Sequence, residues 1–263
     1  MSDTFRLLHS EELTKVSERT GREKDQLFYT YLTARRSRCS FAAQFDRNCR
    51  LTHSAGYLSG MPFQAFAFLF GDELETARPD ELVKLLADHH GLTGTGTTMV
   101  QPHELPVAMN ELEIVSPPRR QFHMRLTSPE RLVREPAARR LTNGHRFYTE
   151  QFAEELDMIA FTKEQSARNP LYGIFRGGEL AALGGFHVYD ERLMEIGNIG
   201  TLPDYRSQGL ARDVTSALAL EALQYSHAVY LYVFADNSSA VALYESLGFE
   251  TTGERFFTEF KIQ

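Results

Sequence analysis

The sequence predicts a mixed α/β fold built in two domains. A chain of 263 residues has room for two domains of ordinary size. Helical stripes alternate with apolar strand runs in both halves. A proline-marked break, Pro117-Pro118 followed by Ser128-Pro129-Glu130, separates them. The expected division is therefore 1–128 and 129–263.

In the first half Ser10 stands as an N-cap before Glu11-Glu12-Leu13, and after Gly21 helical spacing resumes at Leu27, Phe28, Tyr31 and Leu32. Two helices are expected there. Cys39 to Phe45 and His53 to Gly60 read as strands joined by the turn Asp46-Arg47-Asn48. Phe63 to Phe70 reads as a buried strand suited to packing against the other domain. Pro79 opens a helix that keeps Leu82, Leu85, Leu86 and His89 on one face until Gly91 closes it. Met99 to Gln101, a short helix around Val107 to Leu112, and a strand at Gln121 to Leu126 complete this half.

The second half opens with a strand expected through Val133 to Leu141 and a helix after Asn143-Gly144. Strands follow at Leu171 to Phe175 and Leu180 to Tyr189, joined by Arg176-Gly177-Gly178-Glu179, a tight hairpin sequence. Glu195 to Thr201 is the next strand. Leu210, Val214, Ala217, Leu218 and Ala222 then line one side of a helix that needs a sheet to cover. Ala228 to Ala235 is apolar throughout, as in a strand buried on both faces. Asn237-Ser238 leads a last helix to Gly248, and Phe256 to Ile262 forms the final strand.

Composition narrows the function. Hydrophobic residues at 42% and charged residues at 24% lie near globular averages, which excludes disordered and fibrous classes. The longest apolar runs, Ala65 to Phe70 and Ala228 to Ala235, fall far short of the ~20 residues of a membrane-spanning helix. No basic segment followed by an apolar one opens the chain, so a cytoplasmic location is expected. A formal charge of -7, from 28 basic against 35 acidic residues, argues against a nucleic-acid partner and suits an amine-bearing one. Cys39 and Cys49 stand apart in apolar-rich contexts and read as buried free thiols. The nine histidines include no HExxH, and no metal site is expected; His89-His90 ends a helix, where cations suit the dipole.

The chemistry is concentrated in Leu202 to Ala211, a strand end, a turn containing Gly209, and a strong helix. An anion placed there meets the bare N–H groups of the first helical turn and the positive end of the dipole. A pyrophosphate suits such a turn, although a lone glycine also serves merely to ease a tight connection. Gly91-Leu92-Thr93-Gly94-Thr95-Gly96 has similar glycine spacing but runs from helix to strand, the reverse order, and reads as a turn.

Arg206, Gly209 and Ala211 match Gln/Arg-x-x-Gly-x-Gly/Ala, and Asn237, Ala240, Tyr244 and Gly248-Phe249 match Asn-x-x-Ala-x-x-x-Tyr followed by Gly-Phe. With these two motifs in order, residues 130–263 resemble the GCN5-related N-acetyltransferase (GNAT) family. The resemblance implies a GNAT-like fold in the second half and acetyl-CoA as co-substrate. Ser207, Gln208, Gly209, Leu210 and Ala211 would hold its pyrophosphate, with Arg206 adding charge. The strand edge at Ile199, Gly200 and Thr201 would pair with the pantetheine arm, and Asn237 would help to fix it or simply cap its helix. Tyr244 takes the general-acid position, or is a core tyrosine. Glu195, eleven residues before Arg206, takes the register of a general base, or serves as an acceptor-binding or solvated carboxylate. Strand alternation would set it on one face with Gly197, Ile199 and Thr201.

The first half lacks these marks, and its run of elements resembles the degenerate acetyltransferase-like half of two-domain members. The expected function is an acyl-CoA-dependent N-acyltransferase that passes acetyl to the primary amine of a small-molecule or peptide acceptor by direct attack. The alternative is a non-catalytic acyl-CoA sensor or interaction module. Neither nucleic acid nor membrane is expected as a partner.

Overall fold

The computed structural model describes residues 3–263, apart from the side chains of Gln165 and Ser166. The chain divides into two compact units: one runs to Gln121 and takes back Glu254–Gln263, and the other is Phe122–Gly253. The division thus falls earlier than 128, and the C-terminal residues group with unit 1 because 256–262 pair antiparallel with 94–100.

Unit 1 begins with β1 (Thr4–Leu7), an element the sequence reading omitted, and helices α1 (Leu13–Arg19) and α2 (Gln26–Leu32). The hairpin of β2 (Cys39–Phe45) and β3 (Leu51–Leu58) turns at Asp46, whose Oδ1 accepts the N–H groups of Asn48 and Arg50, both at 2.8 Å. Cys49 lies in this turn and is exposed, whereas Cys39 is buried, so only one thiol matches its expected burial. Next come β4 (Gln64–Leu69), α3 (Pro79–His90), β5 (Gly94–Val100) and α4 (Leu105–Glu111). The strand order is β1-β2-β3-β4-β5, with the later part of β12 (Phe249–Ile262) beside β5. Phe66 and Phe68 of β4 pack with Leu82 and Leu86 of α3 and with Phe260. Ala65, Ala67 and Leu69 face Val16, Phe28 and Tyr31 instead. Alternate residues of β4 therefore fill two cores of unit 1 itself, which corrects the expectation that Phe63 to Phe70 serves to pack against the other domain.

Unit 2 contains the bulk of β6 (Arg119–Leu126), then β7 (Arg139–Arg140), α5 (Arg146–Glu155), α6 (Lys163–Arg168), β8 (Tyr172–Arg176), β9 (Glu179–Asp190) and β10 (Leu193–Thr201). It continues through α7 (Leu210–Leu223), β11 (Val229–Phe234) and α8 (Ser238–Ser246) into β12. Its strand order is β12-β6-β11-β10-β9-β8-β7. The strand expected over Val133 to Leu141 shrinks to Arg139–Arg140. Pro136 has no N–H to offer a ladder, and the N–H groups of Val133 and Ala137 go instead to Ser216 Oγ at 3.1 Å and Asp213 Oδ2 at 3.2 Å. In the β8–β9 hairpin Gly177 (φ 58°) and Gly178 (φ 88°) both take the left-handed conformation that a two-residue turn requires.

The apolar stripe of α7, with Leu210, Val214, Leu218 and Ala222, packs on Ile174, Ala182, Phe186, Ile196 and Leu231. On the opposite side Phe152 of α5 packs with Leu171, Leu180, Leu183 and Leu202. Gly184 of β9 is where α7 comes closest: a Cβ there would lie 2.6 Å from Val214 Cγ1 and 2.8 Å from Leu218 Cδ1. We expect Gly184→Ala to destabilise unit 2 by about 1–3 kcal/mol through overpacking. The check is a thermal melt beside Gly144→Ala, whose nearest neighbour is Thr142 Oγ1 at 3.6 Å and which should be near neutral. Equal melting temperatures would mean that α7 does not press on β9 there.

Candidate active site

The site begins with a parting of two strands. β10 and β11 pair in parallel only over Met194–Ile196 against Val229–Leu231. β11 continues to Phe234, and β10 to Thr201 while still paired with β9. Register shifts between β9 and β10 fall at Glu195/Ile196 and at Gly197/Gly200, and within the second Asn198 adopts φ 53°. Such bulges bend a strand and raise its twist. From Gly197 onward β10 therefore leaves β11, and its free edge is open to an extended ligand among the described residues.

The bulge also changes which residues share a face. Ile196 packs under α7, and so does Ile199, whose Cγ1 would meet a Cβ on Gly184 at 3.2 Å. Gly200 faces the other way, where a Cβ would meet Leu156 Cδ1 at 2.7 Å and Phe152 Cε1 at 3.2 Å. The expected grouping of Glu195, Gly197, Ile199 and Thr201 on one face is corrected accordingly. The extra residue at Asn198 puts Ile199 on the opposite side from Gly197. Thr201 Oγ1 is buried and has no hydrogen-bond partner.

Beyond β10, Leu202 N–H donates to Ala181 O at 3.0 Å and Pro203–Tyr205 make one 3-10 turn. Ser207 (φ 59°) and Gly209 (φ 79°) are both left-handed, and α7 starts at Leu210. Its first internal bond is Asp213 N–H to Gly209 O at 3.1 Å. The N–H groups of Leu210, Ala211 and Arg212 precede that bond and point out of the helix end. Ser207, Gln208 and Gly209 are exposed, and no atom lies within 4 Å of a Cβ position on Gly209. Arg206 Nε donates to Thr201 O at 3.2 Å, holding the guanidinium at the turn, while Gln208 Nε2 reaches Asp204 O at 3.3 Å. Leu210 is the buried anchor of the turn. This donor set suits an anion, and the open edge beside it suits an extended amide chain, so the residues fit a pyrophosphate-bearing acyl carrier.

Glu195 is 6% exposed and its Oε1 lies 3.3 Å from His187 Nδ1. The ring of His187 occupies the space a Cβ on Gly197 would need. Sequence reading missed His187; its place in an alternating strand looked ordinary, and only the register brings it to Gly197. Asn237 caps α8, its Oδ1 accepting Ala240 N–H at 3.2 Å and Ser239 Oγ at 3.1 Å, which leaves Nδ2 for other partners. Tyr244 belongs to the core under α7, with its ring edge-on to Phe249 at 6.1 Å between centroids. Burial pushes its phenol up to about 12.

Residues 137–249 match the description of the acetyltransferase (GNAT) family over that whole span. This chain carries a GNAT domain. A mycothiol acetyltransferase of Streptomyces griseus is 43% identical over 84 residues, which is 29% of this chain and 25% of that protein. The chain thus spans a quarter or less of the length of the curated relatives it matches. Among solved structures, a GCN5-related N-acetyltransferase from Sphaerobacter thermophilus superposes with a TM-score of 0.69 at 14% identity, over 99% of this chain and 96% of that one. A tandem GNAT protein from the clavulanic acid biosynthesis pathway gives a TM-score of 0.68 at 14% identity, over 100% and 99%. These likenesses extend the GNAT fold to the whole chain, in two GNAT-like halves.

Unit 1 repeats the GNAT order of strand, turn and helix at β4, residues 70–78 and α3, where β4 and β5 pair in parallel only at Gln64–Ala65 with Gly96–Thr97. Its turn carries Asp72, Glu73 and Glu75, and Asp80 and Glu81 follow in the first turn of α3. Pro79 at the helix start removes a donor. His53 ties this turn down by accepting Gly71 N–H on Nδ1 at 3.0 Å and meeting Thr76 Oγ1 at 3.0 Å. The segment Gly91 to Gly96 is, as read, a connection from helix to strand.

The raised phenol of Tyr244 has a direct test. We expect ultraviolet titrations of the native chain and of Tyr244→Phe to coincide up to pH 11, because the buried phenol stays neutral there. A difference appearing near pH 10, the ordinary tyrosine value of about 10, would show it to be solvated.

Proposed function

We propose that unit 2 transfers the acetyl group of acetyl-CoA to the primary amine of a small-molecule or peptide acceptor by direct attack. The observation that carries this reading is the open edge of β10, which ends in an exposed turn of outward N–H groups within a GNAT domain. In this reading Ser207, Gln208, Gly209, Leu210 and Ala211 hold the pyrophosphate through backbone donors, and Arg206 adds its charge. Ile199, Gly200 and Thr201 pair with the pantetheine amides as an added strand would, and Asn237 steadies that arm through Nδ2. The name of the relatives, mycothiol acetyltransferase, supports acetyl as the group transferred.

The chemistry then runs in one bonding sequence. The neutral amine attacks the thioester carbon, whose oxygen is polarised by an N–H of the open β10 edge. The C–S bond breaks as the amide forms. Glu195 serves the loss of the amine proton, and Tyr244 serves the sulfur as its charge develops. Unit 1 takes no pyrophosphate, because its corresponding turn presents carboxylates instead of bare donors.

Three measurements test this reading. Acetyl-CoA turnover, followed as thiol release over a panel of primary amines, should exceed background for at least one amine; coenzyme binding without any thiol release would make the domain a sensor instead. Gly209→Glu should abolish coenzyme A binding in calorimetric titration while the fold persists, since a carboxylate then occupies the anion site. Unchanged affinity in that folded variant rules out the turn as the pyrophosphate site. The intact chain should bind one acetyl-CoA, and a stoichiometry near two would contradict the account of unit 1.

A further inference from the structure

Each unit holds a cavity of similar size, and the two differ in charge. The cavity of unit 1, about 420 Å³, is lined by Arg19, Arg47 and Arg50 together with the carboxylates of Asp3, Asp46, Asp72 and Glu73, so its wall carries no positive excess. The cavity of unit 2, about 440 Å³, lies between β7, the start of α5, the end of α6 and the approach to β8. Arg140, Arg146, Lys163 and Arg168 line it, and among the described residues no carboxylate joins them. In a chain with 35 acidic against 28 basic residues, four cations gathered without a carboxylate depart from the overall composition. The volume is within the range of small-molecule sites.

The carboxylates that hold these cations stand outside the cavity wall. Glu150 takes Arg146 Nε at 2.7 Å and Lys163 Nζ at 2.8 Å, Glu164 takes Arg168 Nη2 at 2.8 Å, and Glu221 lies 3.5 Å from Arg140 Nη1. Three carboxylates thus serve four cations. Arg146 pairs through Nε and Arg168 through one terminal nitrogen, and a guanidinium has five N–H donors in all, so each keeps donors for a further partner. More than half of every one of these cationic side chains is exposed, and ion pairs so exposed contribute little that an incoming oxyanion would have to displace. Leu141, Pro170 and Leu171 give the same wall an apolar side.

We propose that this cavity binds a small organic phosphate, at a site separate from the turn at Ser207–Gly209. Guanidinium forks match phosphate oxygens in pairs, and the ammonium of Lys163 adds a point charge. Four cations favour a dianion over the single charge of a carboxylate. The apolar side at Leu141, Pro170 and Leu171 covers an organic body that an inorganic ion lacks. The site stands whether or not unit 2 transfers acetyl groups, because no residue of β10 or of its turn takes part in it.

The probe is phenyl phosphate, titrated calorimetrically into the intact chain at pH ~7.5, where a phosphate monoester is a dianion. Folded Gly209→Glu, whose anion turn is blocked, should still bind it saturably at one site, and benzoate, the same ring with a single charge, should bind about 10-fold more weakly or worse. Replacing two exposed cations together, Arg146→Gln with Arg168→Gln, should weaken phenyl phosphate about 10-fold or more at that site. In the otherwise native chain the same pair of substitutions should remove one phenyl phosphate site, a reading that does not depend on how Gly209→Glu folds. The proposal is overturned by absence of saturable binding in the native chain, by benzoate binding as tightly as phenyl phosphate, or by an affinity and site count unchanged when both arginines are replaced. Binding lost in folded Gly209→Glu and kept without the two arginines places the phosphate at the turn and overturns it equally.

Discussion

The structure of the site depends on one constraint: β10 cannot stay parallel to β11 beyond Ile196 while it follows β9 to Thr201. A parallel ladder needs evenly spaced backbone partners, and a strand with an inserted residue cannot present them on both edges. β9 keeps its claim on β10 through two register shifts, and β11 loses its partner. The backbone groups exposed by the parting are costly to leave unpaired unless water or a ligand meets them. The same parting leaves Gly197 as the floor of the opening, sends Ile199 under α7 and brings the end of β10 to the turn at Ser207–Gly209. The open edge of β10 and the His187–Glu195 pair are thus consequences of two neighbouring register shifts.

In unit 1 parallel strands also part, without any register shift between β3 and β4. β4 and β5 also pair in parallel over only two positions, and a turn and an amphipathic helix follow. The difference lies in charge and donors. Where unit 2 offers bare N–H groups, Arg206 and the flexible Gly209, unit 1 offers Asp72, Glu73 and Glu75, with Arg78 as the cap before a proline. A helix start typically favours a nearby negative charge by about 0.3–1 kcal/mol, and here the side chains already satisfy that preference. A pyrophosphate would meet like charge with fewer donors to offset it. The fold is duplicated, and in the proposed reading a handful of residues at one turn decide the chemistry.

Much of this was legible in the sequence because periodicity and turn chemistry are local. The stripe at Leu210, Val214 and Leu218 specified α7, the Gly177-Gly178 pair specified its hairpin, and Pro79 with Gly91 bracketed α3. Arg206, Gly209 and Ala211 marked the turn for the same reason. What escaped depends on partners distant in sequence. Val133 to Ala138 looked like a strand, yet Ser216 and Asp213 claim its donors from α7. Alternation placed Ile199 with Glu195, but Asn198 breaks the count, and no local signal distinguishes a bulge there from a regular strand. His187 became visible only once β9 and β10 were in register. The return of 256–262 to β5 is likewise a matter of pairing that apolar content alone does not encode.

The burial of Tyr244 bears on how the leaving sulfur is satisfied. A phenol pushed up to about 12 is a weaker acid than an ordinary tyrosine. Passing its proton completely to a thiolate whose conjugate acid lies near ~8.5 is uphill. The reaction moves one proton from amine to sulfur overall, and a base that collects it at the open edge already holds what the leaving group requires. In the proposed reading Tyr244 donates a hydrogen bond to the sulfur while keeping its proton, and burial would strengthen that bond because a hydrogen bond in a low-dielectric site is electrostatically stronger than one in water. Burial holds Tyr244 neutral, so in that reading it shares its proton without giving it up.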